Sequence, residues 1–107
     1  MQAATDDLFK SLADPTRRAI FESLVRDGEQ NVRALTDLAG VSQPMVSKHL
    51  GVLKLAGLVR ERPEGRAVHY SAEPKGLVPL INWMRHYSEF WQDRFDRLET
   101  LLNRMDQ

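Results

Sequence analysis

Ser42, Gln43, Ser47, Lys48 and His49, followed by Arg60, Arg62 and Arg66, are the side chains whose types and spacing could do chemistry. The chemistry is recognition rather than bond making. A Gln amide pairs bidentately with adenine and a Lys ammonium with guanine. Arginines lie along phosphates or enter a minor groove. Gln43, Ser47 and Lys48 are the principal candidate base readers, and Ser42 and His49 are secondary ones. Arg60, Arg62 and Arg66, together with Arg17, are candidates for the phosphate backbone or minor groove. Catalysis has no comparable set. Cysteine is absent, the three histidines are scattered at 49, 69 and 86, and no Gly-rich phosphate loop or Gly-x-Ser-x-Gly elbow occurs. Neither an enzyme nor a cofactor is expected.

Charge supports that assignment only when it is resolved along the chain. Fifteen Lys+Arg balance fifteen Asp+Glu, for a net charge of zero. Residues 42–71, however, hold Lys48, Lys54, Arg60, Arg62 and Arg66 against Glu61 and Glu64, a local balance of +3. A basic face matters more to a polyanion than the total does.

The positioning elements follow from caps and periodicity. Thr5 followed by Asp6 and Asp7 reads as a helix start, with Leu8, Phe9 and Leu12 behind it. Asp14-Pro15 starts a second helix carrying Ile20, Phe21, Leu24 and Val25 at helical spacing, ended by Asp27-Gly28. Asn31 caps a third helix with Val32, Leu35, Leu38 and Ala39 turned inward, and Gly40 stops it. Ser42 caps the next helix, on which Val46, Leu50 and Leu53 form the buried stripe, and Gly57 ends it. Two short helices around a Gly-containing turn, about 31–57, make a helix-turn-helix. Its second helix carries the candidate readers off the buried stripe. Two β-leaning runs across Pro63-Glu64-Gly65, about 58–71, make a hairpin with basic flanks.

From about 77 to 106 the spacing predicts one long helix. Leu80, Met84, Tyr87, Trp91, Phe95, Leu98, Leu102 and Met105 step by three and four, and Trp83, Phe90 and Leu101 widen the stripe. A chain of 107 residues has room for one domain. It cannot readily cover so many aromatics alone, and a large exposed apolar patch marks an interface. A homodimer seam is expected along Leu80, Met84, Tyr87, Trp91, Phe95, Leu98 and Leu102, with Leu8 of the first helix beside it. The composition, 42% hydrophobic and 28% charged, is that of a globular domain and argues against both disorder and a membrane span. The amino terminus lacks the basic and apolar regions of a signal peptide, so a cytoplasmic address is expected.

The segment Val41-Ser42-Gln43-Pro44-Met45-Val46-Ser47-Lys48-His49-Leu50, with Leu53-Lys54-Leu55-Ala56-Gly57-Leu58-Val59, resembles the recognition helix of the ArsR/SmtB winged-helix repressors. Ala13-Asp14-Pro15-Thr16-Arg17-Arg18 resembles the start of their second helix, and Gly65-Arg66-Ala67-Val68-His69-Tyr70 their wing. The resemblance covers roughly residues 5–75. It implies a homodimeric transcription factor that dimerises through its first and last helices and binds a pseudo-palindromic operator in double-stranded DNA. Well-known members sense metals. Their Cys-x-Cys positions hold Asn31 and Arg33 here. Of their last-helix site, His86-x-x-Glu89 keeps half, and Lys75 or Gly76 stands where a histidine would follow Glu73. Zinc wants three or four ligands, so no metal site is expected. The aromatic last helix is similar to that of a subset of the family without metal ligands.

The expected fold is thus α+β and mostly helical, a single winged helix-turn-helix domain over 1–107 with a long carboxy-terminal dimerisation helix. The expected function is sequence-specific DNA binding as a repressor. Two other readings of the aromatic helix are a protein–protein interaction module and a seam that binds an unknown small-molecule or protein effector.

Overall fold

The computed structural model describes residues 2–105. Five helices precede a sixth that projects from the rest: α1 (Gln2–Ala13), α2 (Pro15–Asp27), α3 (Val32–Ala39), α4 (Gln43–Leu55), α5 (Val78–Arg85) and α6 (Ser88–Met105). A small sheet of β1 (Gln30–Asn31), β2 (Val59–Glu64) and β3 (Ala67–Ala72) completes the fold, and a 3₁₀ turn at Pro74–Leu77 leads into α5. The architecture is the mostly helical α+β winged helix-turn-helix that the sequence implies.

Short polar side chains start the inner helices. Asp14 Oδ2 accepts the Arg17 backbone N–H at 2.9 Å, Asn31 Oδ1 accepts that of Ala34 at 2.9 Å, and Ser42 Oγ accepts that of Met45 at 3.3 Å. Gly40, in left-handed conformation at φ 68°, ends α3 and makes the turn into α4. Thr5 does not start α1. The helix begins at Gln2, because Ala3 and Ala4 ahead of Thr5 are strong helix formers.

Arginines close α1 at its other end. A helix leaves its last four carbonyls without internal partners. Arg17 donates to the carbonyls of Lys10 and Ser11 at 3.0 and 2.7 Å, and Arg18 to those of Leu12 and Ala13 at 2.6 and 3.1 Å. All four orphans are thereby satisfied from the first turn of α2.

One core holds α1 to α4 and the sheet together: Leu8, Ile20, Phe21, Leu24, Leu35, Val46, Leu50, Leu53, Leu58 and Val59. Leu8 is only 1% exposed. It belongs to this core and is not available to a dimer seam, because α1 turns it toward α2. Leu38, expected to face inward, is exposed, and so is Val25 of the apolar spacing in α2. They sit at the edges of stripes on which Leu24 and Leu35 take the central places.

The sheet order is β1-β3-β2, antiparallel throughout. Glu64 pairs with Ala67, which leaves Gly65-Arg66 as a two-residue turn. Gly65 supplies the positive φ of 61° that such turns need. Pro63 therefore lies in β2 rather than in the turn; β2 is an edge strand, where a missing N–H is tolerated. The strand β1 has no counterpart in the sequence reading, since two residues carry no periodicity. Gln30 pairs opposite Tyr70 and Asn31 opposite His69, tying the helix-turn-helix to the wing.

The long last helix is interrupted. His86 and Tyr87 form a turn between α5 and α6, and the Tyr87 N–H bonds to the Met84 carbonyl three residues back at 3.1 Å. His, Tyr and Ser are weak helix formers, and three of them run from 86 to 88. The helical spacing persists across the break, which is why the sequence reads as one stripe. Beyond the break, α6 does not pack substantially on any other described element. The radius of gyration is 18.2 Å, against about 13 Å for a compact chain of this length. No described helix is long and apolar enough to cross a membrane.

Candidate nucleic-acid interface

The sequence of α4 divides its two faces. Val46, Leu50 and Leu53 are fully buried and press the helix onto α2, α3 and β2. Gln43, Ser47 and Lys48 are exposed, and no bond to another described side chain engages them. Ser42 is also exposed, but its hydroxyl oxygen is occupied as the helix cap. These four line the amino-terminal half of α4, the part of a recognition helix that reaches base edges.

Two sequence-derived candidates do not join them. His49 is 8% exposed and turned inward, with Nδ1 3.4 Å from an Arg17 guanidinium nitrogen. Arg17 spends its guanidinium on Lys10, Ser11 and His49 and is half-buried. Neither is presented to a ligand outside the chain. Helical spacing puts residue 49 three positions after Val46 and one before Leu50, so it falls on the buried side.

The wing arginines differ in how free they are. Arg60 pairs with Glu73 at 2.9 Å, and Arg62 pairs with Glu29 at 2.7 Å and Glu64 at 3.2 Å. Lys54, at the far end of α4, pairs with Glu61. Arg66, in the turn at the tip of the wing, is exposed and has no ion pair among the described residues. Cation and acid shift each other. The Arg62 guanidinium holds the Glu29 carboxyl below its ordinary value, and Lys54 does the same to Glu61. Burial, reinforced by Glu61, raises the Tyr70 phenol, whose hydroxyl donates to Glu61 Oε2 at 3.4 Å. Among the described residues, the free cations of this face are thus Lys48 on the helix and Arg66 on the wing. The +3 balance read from the sequence overstates what is unpaired, because Glu29 and Glu73 lie outside the window counted.

The metal positions of the sequence reading hold other partners. Asn31 caps α3, Glu73 pairs with Arg60, and His86 stacks edge-on against Tyr87 at 5.5 Å. The Glu89 side chain lies outside the described residues. No group of three or more His, Asp or Glu among the described residues could hold a metal ion.

A helix-turn-helix domain model matches residues 12–62. The chain is 32% identical to the transcriptional repressor SdpR of Bacillus subtilis, over 77% of this chain and 90% of that protein. It is 47% identical to the HTH-type transcriptional regulator Rv2034 of Mycobacterium tuberculosis, over 70% of this chain and 69% of that protein. The chain belongs to the ArsR/SmtB-type winged helix-turn-helix regulators. A solved structure of an ArsR family transcriptional regulator superposes with a TM-score of 0.78 at 28% identity, covering 86% of this chain and 94% of that one. Proteins of the ArsR/SmtB type are DNA-binding transcriptional regulators and not enzymes, and so is this one. Within the ArsR/SmtB frame, α3 and α4 are the helix-turn-helix and β2–β3 the wing.

The seam candidates on α5 and α6 divide after Leu80. Leu80 is partly buried against the core. Met84, Tyr87, Trp91, Phe95, Leu98 and Leu102 are exposed. Sequence reasoning missed the junction of α1 with α5, where Phe9 meets Trp83 edge-on at 5.3 Å and Trp83 meets Tyr87 at 5.1 Å. An open groove of about 740 Å³ runs beside these rings. Phe9 off the buried face of α1 was the available signal.

Proposed function

We propose that the protein is a cytoplasmic homodimeric repressor that reads a pseudo-palindromic operator and does not respond to metal. The observation that carries the reading is the free polar row of Gln43, Ser47 and Lys48 on a helix whose opposite face is fully buried. In the major groove Gln43 and Lys48 meet base edges, with Ser47 and Ser42 beside them. Arg66 reaches the backbone or minor groove from the wing, and Arg60 and Arg62 contribute once they exchange acidic partners for phosphate. Twofold symmetry spaces the half-sites by about one helical turn, or ~34 Å. The uncovered apolar row of Met84, Tyr87, Trp91, Phe95, Leu98 and Leu102 supports the dimer. The absence of a ligand set at Asn31, Arg33 and Lys75 supports metal independence. The groove beside Phe9 and Trp83 favours a second reading of the same protein, in which a small apolar effector acts at that junction.

A salt series on operator and scrambled duplexes separates reading from positioning. Gln43→Ala should lose about 1–3 kcal/mol of discrimination per half-site at one symmetric pair of positions, with random-duplex binding intact. Arg66→Ala should weaken both duplexes and flatten the log K against log salt slope by about one unit for each phosphate it no longer neutralises. Identical profiles for the two variants would defeat the division of labour.

A further inference from the structure

His49 is the one buried polar side chain on α4. The rest of that buried face is Val46, Leu50 and Leu53, and apolar contacts are non-directional. They fix which face of the helix is down, but set its rotation about its own axis less sharply than a directional bond does. A hydrogen bond is such a bond. Arg17 lies within reach of His49 Nδ1, 3.4 Å away, while the same guanidinium grips the last-turn carbonyls of α1 at 2.7 and 3.0 Å. Its backbone N–H is fixed in turn by Asp14 at 2.9 Å. One side chain therefore spans α1, the start of α2 and α4. Guanidinium only donates, so Nδ1 must be the acceptor and the His49 proton must reside on Nε2. Arg18 provides a built-in contrast. It caps the same helix through Leu12 and Ala13 but has no bond to α4.

We propose that Arg17 is a positioning residue for DNA reading, acting through His49 to set the rotation of α4 against α1. The proposal rests on α4 being the reading helix. Gln43, Ser47 and Lys48 are carried on the turns next to His49. A change in the tilt or rotation of α4 moves all three relative to the base edges together. Because α1 also holds Phe9 against Trp83 of α5, the link gives the α1–α5 junction a contiguous route to the reading face.

The test uses full-length Arg17→Lys, Arg18→Lys, His49→Gln and His49→Leu. Each is titrated against a duplex that the wild-type protein selects from a random pool and against its scrambled form. Arg17→Lys and His49→Leu should reduce the preference for the selected duplex by about tenfold, the size of one mismatched base pair. Their affinity for scrambled duplex should hold. Gln retains an acceptor for the guanidinium, so His49→Gln should keep the preference. Arg18→Lys should keep it too, although it alters the same kind of helix cap. In ¹⁵N spectra of the free wild-type protein the His49 ring should be the Nε2–H tautomer, and Arg17→Lys should disturb that ring while Arg18→Lys does not. Equal effects of the Arg17 and Arg18 variants would overturn the proposal. So would equal weakening on both duplexes with a shallower salt slope for Arg17→Lys, which would mean direct phosphate binding. If Arg17→Lys does not fold, the comparison of His49→Gln with His49→Leu decides. A wild-type protein that selects no sequence would sink the reading of α4 and the proposal with it. An Nδ1–H tautomer in the free protein would instead sink the link alone.

Discussion

Phe95→Ala tests what covers the projecting helix. Phe95 lies near the middle of α6 and is 63% exposed. A phenylalanine side chain presents about 200 Å², so the proposed dimer would cover about 125 Å², worth about 3 kcal/mol per protomer at ~25 cal/mol/Å². Alanine recovers part of that, which leaves a loss of about 2 kcal/mol per protomer and about 4 kcal/mol per dimer. The dissociation constant should rise by roughly a thousandfold. Since α6 does not pack substantially on any other described element, the thermal transition of the isolated domain should hardly move. Sedimentation velocity across a wide concentration series measures the first quantity, and circular dichroism under monomeric conditions the second. Two results would refute the reasoning. One is a wild-type protein that sediments as a monomer at tens of micromolar. The other is a Phe95→Ala protein that dimerises like wild type, which would place the seam on another face.

Gly76→Ala should destabilise the fold by about 1–3 kcal/mol, because an added Cβ would lie 2.1 Å from the Gly57 carbonyl oxygen; denaturant titration with an unchanged midpoint would contradict this. Zinc at low micromolar concentration should leave operator binding unchanged in fluorescence anisotropy, and a stoichiometric loss reversed by EDTA would revive His86 and Glu89 as ligands. Glu29 and Glu61 are held below their ordinary 4.5 by Arg62 and Lys54. A depressed carboxylate contributes stability above its unfolded value and loses it as pH falls through the folded one, so the wing should loosen on the acid side of 4.5. Glu29→Gln with Glu61→Gln should remove part of that acid sensitivity in thermal melts followed from pH 7 downward, and parallel curves would count against it.

Local chemistry was enough for the sequence to determine the inner helices, the helix-turn-helix and the existence of the wing. Asp14, Asn31 and Ser42 each cap a backbone N–H three residues away, and Gly40 and Gly65 take left-handed conformations that the chain needs at those points. Interactions of that range are written in adjacent residues. The tertiary structure alone decided the fate of Arg17 and His49. They stand 32 residues apart, and only the packing of α1 and α2 on α4 turns a candidate phosphate ligand and a candidate base reader toward each other. It also decided which wing arginines are free, because Glu29 reaches Arg62 across the sheet and Glu73 reaches Arg60 from beyond the strand. The two-residue strand β1 and the break at His86–Tyr87 belong to the same class. Neither disturbs the hydrophobic period, so the period cannot report them. Periodicity records which residues seek burial. Whether a given side chain is buried by its own chain, as Leu8 is, or left exposed, as Phe95 is, depends on what the completed fold covers.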